Sequence, residues 1–131
     1  MKRKVEVKKI EISETDLREQ IRDLCKITSW KFYFTFNSIH SPKGMPDLIL
    51  CRPPRLIFAE LKNEKGKIST YQQEWIDVLS QCGMNVEVYI WRPSDINEIL
   101  KTLQIDKPEP NLREISNRIN MEYNANADDR L

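Results

Sequence analysis

The sequence predicts an α/β protein, a mixed central sheet flanked by helices in the order α-β-β-β-α-β-α. Three observations carry this. Apolar residues at helical spacing (Leu17, Ile21, Leu24, Cys25) precede the first strand-like run. Two strongly apolar runs, MPDLILC and RLIFAELK, then follow one another across Pro53-Pro54, the pattern of strands inside a covered sheet. A second helical stretch, ISTYQQEWIDVLSQCG, separates them from a further strand-like run, MNVEVYIWR.

The elements follow in order. Residues 1–12 alternate in places (Val5, Val7, Ile10, Ile12) and read as an edge strand or an ordered arm. Ser13 is the N-cap of the first helix. WKFYFTFNS, rich in aromatics and threonine, reads as the first strand of the core, and IHSPKG as a loop. MPDLILC and RLIFAELK are expected to be apolar on both faces. The second long helix starts at its N-cap Ser69 and ends with Gly83 at the C-cap, with an apolar stripe of Tyr71, Trp75, Val78, Leu79 and Cys82. Trp75 and Trp91 read as core, Tyr71 and Trp30 as core or rim. PSDINEILKTL is a short helix capped by Ser94, with Ile96, Ile99, Leu100 and Leu103 facing inward. Beyond it the composition changes. The domain expected from this pattern spans residues 1–104, arm included. Residues 105–131 are expected to be a proline-containing linker, a short amphipathic helix around Leu112, Ile115 and Ile119, and a disordered tail.

The bulk numbers narrow the function classes. A chain of 131 residues suits one domain with a core of its own. Its 40% apolar and 31% charged content is that of a soluble globular protein. No apolar stretch is long enough to cross a bilayer, and the basic N-terminus lacks the apolar segment of a secretory signal. Three cysteines, Cys25, Cys51 and Cys82, are an odd number without a CxxC pair; they read as reduced core thiols of a cytoplasmic protein. A net charge of +1 excludes a chain that is cationic throughout. Positive charge is concentrated locally, in MKRK, SPKG, CRPPR and KNEKGK. From charge alone, solvated surface is the better reading of those clusters, and a local nucleic-acid footprint is the alternative.

The chemistry lies in GMPDLILCRPPRLIFAELK. If the hairpin closes between Pro53 and Pro54, Asp47 faces Glu60, with Cβ atoms roughly 4.5–5.5 Å apart. Lys62 lies two positions further on and shares the face. Proline cannot adopt the positive φ of the tightest hairpin turns, so a longer loop is the alternative. Two carboxylates side by side repel unless a proton or a cation joins them. A hard divalent ion such as Mg²⁺ uses one or two carboxylates and keeps its waters, which suits phosphodiester hydrolysis. Lys62 then orients the attacking water or stabilises charge building on phosphorus. Spacing leaves a plainer alternative open, in which Asp47 caps a turn and Glu60 pairs with Lys62 at a solvated strand end.

Pro46-Asp47 followed by Glu60-Leu61-Lys62 resembles the PD-(D/E)xK nuclease signature. The longer strings GMPDLIL, RPPRLIFAELKNEKGKIS, QQEWIDVL and CGMNVEVYIWRPSD resemble the VRR-NUC family within it, from about Ser13 to Leu103. The resemblance implies a restriction-endonuclease-like αβββαβα core. It implies metal-binding acids at Glu14, Asp47 and Glu60, a backbone-carbonyl ligand at Leu61, a catalytic lysine at Lys62 and an active-site glutamine at Gln72. It also implies a Mg²⁺- or Mn²⁺-dependent deoxyribonuclease with no other small-molecule cofactor and no membrane partner. The chain's length leads us to expect the stand-alone type, a homodimer that cuts Holliday junctions or other branched DNA in a bacterial or phage-infected cell. Alternatives are a nuclease of ordinary duplex and a non-catalytic nucleic-acid-binding module that keeps the fold. Two of these residues have a structural role available as well. Glu14 lies in a first helical turn, where acids are favoured anyway. Gln72 stands three residues after Ser69, the spacing of a capping box. Lys43, Lys65 and Lys67 flank the acid end of the hairpin and are expected to contact DNA, with His40 in the preceding loop as a further candidate. Arg52 and Arg55 lie at the opposite end and are poor candidates for the active site.

Overall fold

The computed structural model describes residues 11–36 and 39–105. The arm expected up to residue 10 and the linker, helix and tail expected from residue 106 lie outside the described residues. Helix α1 (Glu14–Thr28) leads into strand β1 (Lys31–Phe34), followed by β2 (Leu48–Arg52), β3 (Arg55–Leu61), α2 (Thr70–Leu79), β4 (Val86–Trp91) and α3 (Ile96–Gln104). The expected α-β-β-β-α-β-α order is the observed one.

The four strands form one sheet in the order β1-β2-β3-β4, antiparallel except for the parallel β3–β4 pair. The β2–β3 register pairs Leu48 with Ala59 and Arg52 with Arg55. Only Pro53 and Pro54 therefore join the strands, through a cis peptide bond. The two-residue turn is the one on which the expected register was based, and the longer loop is not needed.

Strand parity sorts the side chains. Leu48, Leu50, Ile57, Ala59 and Leu61 share one face and are buried there with Leu17, Ile21 and Cys25 of α1 and Ile99 and Leu103 of α3. The opposite face is different. Ile49, Leu56 and Phe58 are only half-buried, so β2 and β3 are not covered equally on both faces as expected. The reason is α2. No residue of this helix is buried, and Tyr71 and Val78 of its expected inward stripe are 55% and 60% exposed.

Capping follows the sequence at the N-termini of both long helices. Ser13 and Asp16 form a capping box on α1, Ser69 and Gln72 one on α2. Three other details differ. The strand expected over WKFYFTFNS ends at Phe34. Helix α2 ends at Leu79, where the Ser80 hydroxyl turns back on the Ile76 carbonyl (2.6 Å), and Gly83 (φ +113°) comes after a further turn rather than at the C-cap. Ser94 does not cap α3. Its N–H and hydroxyl bind the Glu64 carboxylate (2.6 and 3.0 Å), and the chain enters α3 through a short 3₁₀ turn at Pro93–Asp95. The cysteines are not all core: Cys25 is buried, Cys51 half-buried and Cys82 exposed. Burial pushes the Cys25 thiol up to about 12, which leaves it protonated and unreactive.

Arg52 and Arg55 bind the chain together at the hairpin turn. Arg55 is 2% exposed and forms a two-pronged ion pair with Glu87 on β4 (2.7 and 2.6 Å). Its Nη1 donates to the Thr102 carbonyl (2.8 Å) and to that of Ile105. Arg52 donates to the carbonyls of Thr28 (2.8 Å), Leu103 (3.0 Å) and Ile105 (2.6 Å). Both guanidinium groups lie against the Trp30 ring, 4.9 and 4.8 Å from its centre. The C-termini of α1 and α3 are thus capped by positive charge, favourable toward their dipoles.

Candidate active site

Asp47 and Glu60 stand at the other end of the hairpin. Continuing the register one step beyond Leu48–Ala59 sets them opposite each other. Both lie on the sheet face away from the α1–α3 core, at the strand ends. The Asp47 carboxylate accepts the Leu61 N–H (2.9 Å), which fixes it across the end of β3. Its carbonyl accepts the Thr35 N–H (3.1 Å), tying it also to the end of β1.

Glu60 is 2% exposed. Its Oε1 accepts a hydrogen bond from Gln72 Nε2 (2.9 Å) and lies 3.8 Å from the Lys62 ammonium. Its Oε2 is buried without a hydrogen-bond partner. Burial, then the charge of Asp47 and the hydrogen bond that Asp47 offers the protonated form, push the Glu60 carboxyl up to about 8, with Lys62 opposing and Glu14 adding slightly. Burial and the neighbouring Asp47 charge thus favour the protonated form of Glu60 in the metal-free protein. The arrangement is not the solvated Glu60–Lys62 pair of the plainer reading, because Glu60 is nearly inaccessible and half-unsatisfied.

Gln72 serves two roles through one side chain. Its Oε1 accepts the Ser69 N–H (2.9 Å), closing the capping box, while its Nε2 holds Glu60. The start of α2 is located by the loop before β2. Trp75 Nε1 donates to the Lys43 carbonyl (3.0 Å). Gly44 sits at φ +97°, and a Cβ there would come within 2.3 Å of the Tyr71 carbonyl oxygen. Only glycine allows this close approach.

Glu14 lies on the α1 side of the pair. It lines a recess of about 100 Å³ with Arg18, Phe34, Asp47 and Leu61. Across Asp47 a second recess of about 260 Å³ is walled by Tyr33, Phe36, Pro42 and Gly44. Lys65 and Lys67 are exposed on the loop after β3, and His40 and Lys43 on the loop before β2. The structure thus brings Asp47, Glu60, Leu61, Lys62 and Gln72 together, places Glu14 on the same recess, and leaves His40 and the three loop lysines at the periphery.

Arg92 is a further residue of this end of the sheet, and its sequence position alone implies no role. It donates from Nη1 to the carbonyls of Asn63 (2.6 Å) and Gly66 (2.7 Å) and so shapes the loop after Lys62. The same end is fastened by the Lys62 N–H on the Trp91 carbonyl (3.0 Å). The WRPSD string was the visible signal; the role of its arginine depends on a contact 26 residues away.

Among the described residues no three His, Cys, Asp or Glu side chains gather closely enough to hold a metal ion by themselves. That is a poor donor set for zinc, which takes three or four protein ligands. It fits an ion of the Mg²⁺ type, which needs one or two carboxylates and retains water. The buried, unpartnered Glu60 oxygen beside Asp47 is the observation that supports the fit.

A family model described as the VRR-NUC domain matches residues 2–90, more than half of the chain. The chain belongs to the VRR-NUC family. Membership implies a nuclease of the PD-(D/E)xK superfamily. The VRR-NUC match includes every residue from Glu14 to Gln72 discussed above and stops short of the Leu103 to which the resemblance was read. Comparison with curated proteins and with solved structures gives no match. Among the described residues, no helix is long and apolar enough to cross a membrane.

Proposed function

We propose that this chain is a divalent-metal-dependent endonuclease that hydrolyses DNA phosphodiesters at Asp47, Glu60 and Lys62. The observation that carries the reading is the Glu60 carboxylate, buried with one oxygen unpartnered, facing a second acid and beside an ammonium group. Asp47, Glu60 and the Leu61 carbonyl would hold Mg²⁺ or Mn²⁺, and Glu14 would face it from across the recess. Such an ion, when bound, supplies a water that ionises near neutral pH and shields the phosphate charge.

The chain's own groups do the rest. Gln72 fixes Glu60 Oε1 and leaves Oε2 unpartnered. The Leu61 N–H fixes Asp47 in turn. Lys62, at 15% side-chain exposure, keeps its ammonium next to Glu60 and presents it to the phosphate or to the attacking water. Lys43, Lys65, Lys67 and His40 are exposed where they would contact the flanking strand.

Branched DNA such as a Holliday junction is the favoured substrate, with a homodimer as the active species. Both rest on the resemblance to stand-alone family members. A cytoplasmic setting rests on the odd number of cysteines without a CxxC pair.

The test is cleavage of duplex, nicked, flap and four-way DNA of equal length, with Mg²⁺, with Mn²⁺ and with EDTA. Cutting that requires the metal and favours the four-way substrate is expected. Equal rates on linear duplex would replace the branched substrate by ordinary DNA. A folded protein that binds DNA and cuts none of these would replace the enzyme by a binding module.

A further inference from the structure

Residues 18, 22 and 26 are Arg, Arg and Lys, four positions apart on α1. Such residues share a helix stripe in steps of about 6 Å. Two recesses between α1 and β1 follow one another along this stripe and share no lining residue. The first is the one containing Glu14, Arg18, Phe34 and Asp47. The second, about 330 Å³, is lined by Arg22, Lys26, Trp30, Lys31 and Phe32. Acids line only the first.

The two arginines are held in an unusual way. The Arg18 guanidinium lies 4.3 Å from the centre of the Phe34 ring. That of Arg22 lies over both Phe32 (5.1 Å) and Phe34 (5.3 Å). Among the described residues neither is in an ion pair with Glu14 or Asp47, although Arg18 lines the same recess as both. Among the described residues Arg18 pairs with Glu19 alone, at 3.7 Å, and its buried Nε has no hydrogen-bond acceptor. Stacking occupies the flat face of a guanidinium and leaves its edge to bind an anion.

We propose that this α1–β1 flank carries the phosphate backbone of the DNA strand leading to the carboxylate pair, with Arg18 and Arg22 as its contacts and Lys26 extending the line. The inference rests on the nuclease reading and adds a path to it. The charge is complementary to phosphate, and the track is continuous with the site through the shared recess. Because the arginines are ordered by the rings, less side-chain freedom is lost on binding than for exposed lysines such as Lys65 and Lys67. Contacts of this kind set strand position and carry no base preference. The rival explanation is that stacking only fastens α1 to β1.

The experiment measures binding of fluorescently labelled DNA in EDTA at a series of salt concentrations. Arg18→Ala and Arg22→Ala are each expected to lower the slope of log affinity against log salt by about 0.9 on duplex, or about 0.7 on single strands. Arg18→Lys and Arg22→Lys, which keep the charge, should restore the slope. If an alanine variant melts early, Arg18→Gln and Arg22→Gln, which keep a long polar side chain and lose the charge, take its place with the same expected loss of slope. Unchanged slopes in the alanine variants of a chain that binds DNA overturn the track alone. So does a slope change confined to the Lys65→Ala/Lys67→Ala double variant. A folded, unmodified chain that binds none of the DNA substrates takes down the nuclease reading and the track together.

Discussion

The two ends of the β2–β3 hairpin face the same physical problem and resolve it oppositely. At the turn, Arg52 stands opposite Arg55; at the open end, Asp47 stands opposite Glu60. Each end brings like charges together in a place with little water. At the turn every charge is answered. Arg55 has Glu87 and two carbonyls, and Arg52 caps two helices. At the open end Glu60 keeps one buried oxygen unpartnered and a carboxyl shifted up to about 8. A buried charge with a full set of partners holds a fold together. One left short of partners costs stability and is the mark of a site kept for a ligand.

The comparison breaks first on function. Glu60→Gln and Asp47→Asn should each lower DNA cleavage by about 10²–10⁴-fold, the range seen when a positioned catalytic group is lost. Neither should lower thermal stability, because each replaces a carboxyl group by an amide of the same shape that keeps a hydrogen-bond acceptor. Arg55→Ala is the mirror image. It strands Glu87, whose side chain is 10% exposed, and should cost about 3–5 kcal/mol in chemical denaturation. Loss of stability in Glu60→Gln equal to that in Arg55→Ala would erase the distinction between the two ends.

The pH dependence sharpens it. Glu60 binds its proton more tightly folded, up to about 8, than the ordinary value of 4.5. The folded state then holds more protons than the unfolded one across that window. Stability of the metal-free protein should fall as pH rises from about 4.5 to about 8, at up to about 1.4 kcal/mol per unit, and level off above. Glu60→Gln should flatten the slope in melts recorded in EDTA. Addition of Mg²⁺ or Mn²⁺ at pH 8 should raise the melting temperature of the unmodified chain and leave that of Glu60→Gln nearly unmoved.

What the sequence made legible was local. Strand parity and a two-residue turn placed Asp47 against Glu60 with Lys62 on the same face, serine N-caps placed the starts of both long helices, and Gln72 three residues after Ser69 marked a capping box on the second. What it missed depends on contacts between distant segments. Nothing in the spacing of Tyr71, Trp75 and Val78 says that α2 meets the sheet too loosely to bury them. Ser94 looked like a cap because its competitor, Glu64, lies 30 residues away. Nothing in the sequence places Arg18 and Arg22 on Phe34 and Phe32, because those rings belong to another element. Periodicity reports which face a residue is on; it does not report what meets that face.

The smallest expected effect separates the two duties of Gln72. Ser69→Ala removes the cap of α2 and leaves the Gln72–Glu60 bond in reach, so it should cost about 1 kcal/mol of stability. Cleavage at saturating metal should barely change. Gln72→Ala loses its half of the same capping box and also the donor on Glu60 Oε1. Without that donor the Glu60 carboxylate is harder to ionise. Its metal requirement should rise and its pH–rate profile should move to higher pH, while its stability loss stays close to that of Ser69→Ala. Metal titrations of cleavage at two pH values read the difference directly. Identical behaviour of the two variants would reduce Gln72 to a helix cap, and would leave Glu60 held at the open end by Lys62 and Asp47 alone.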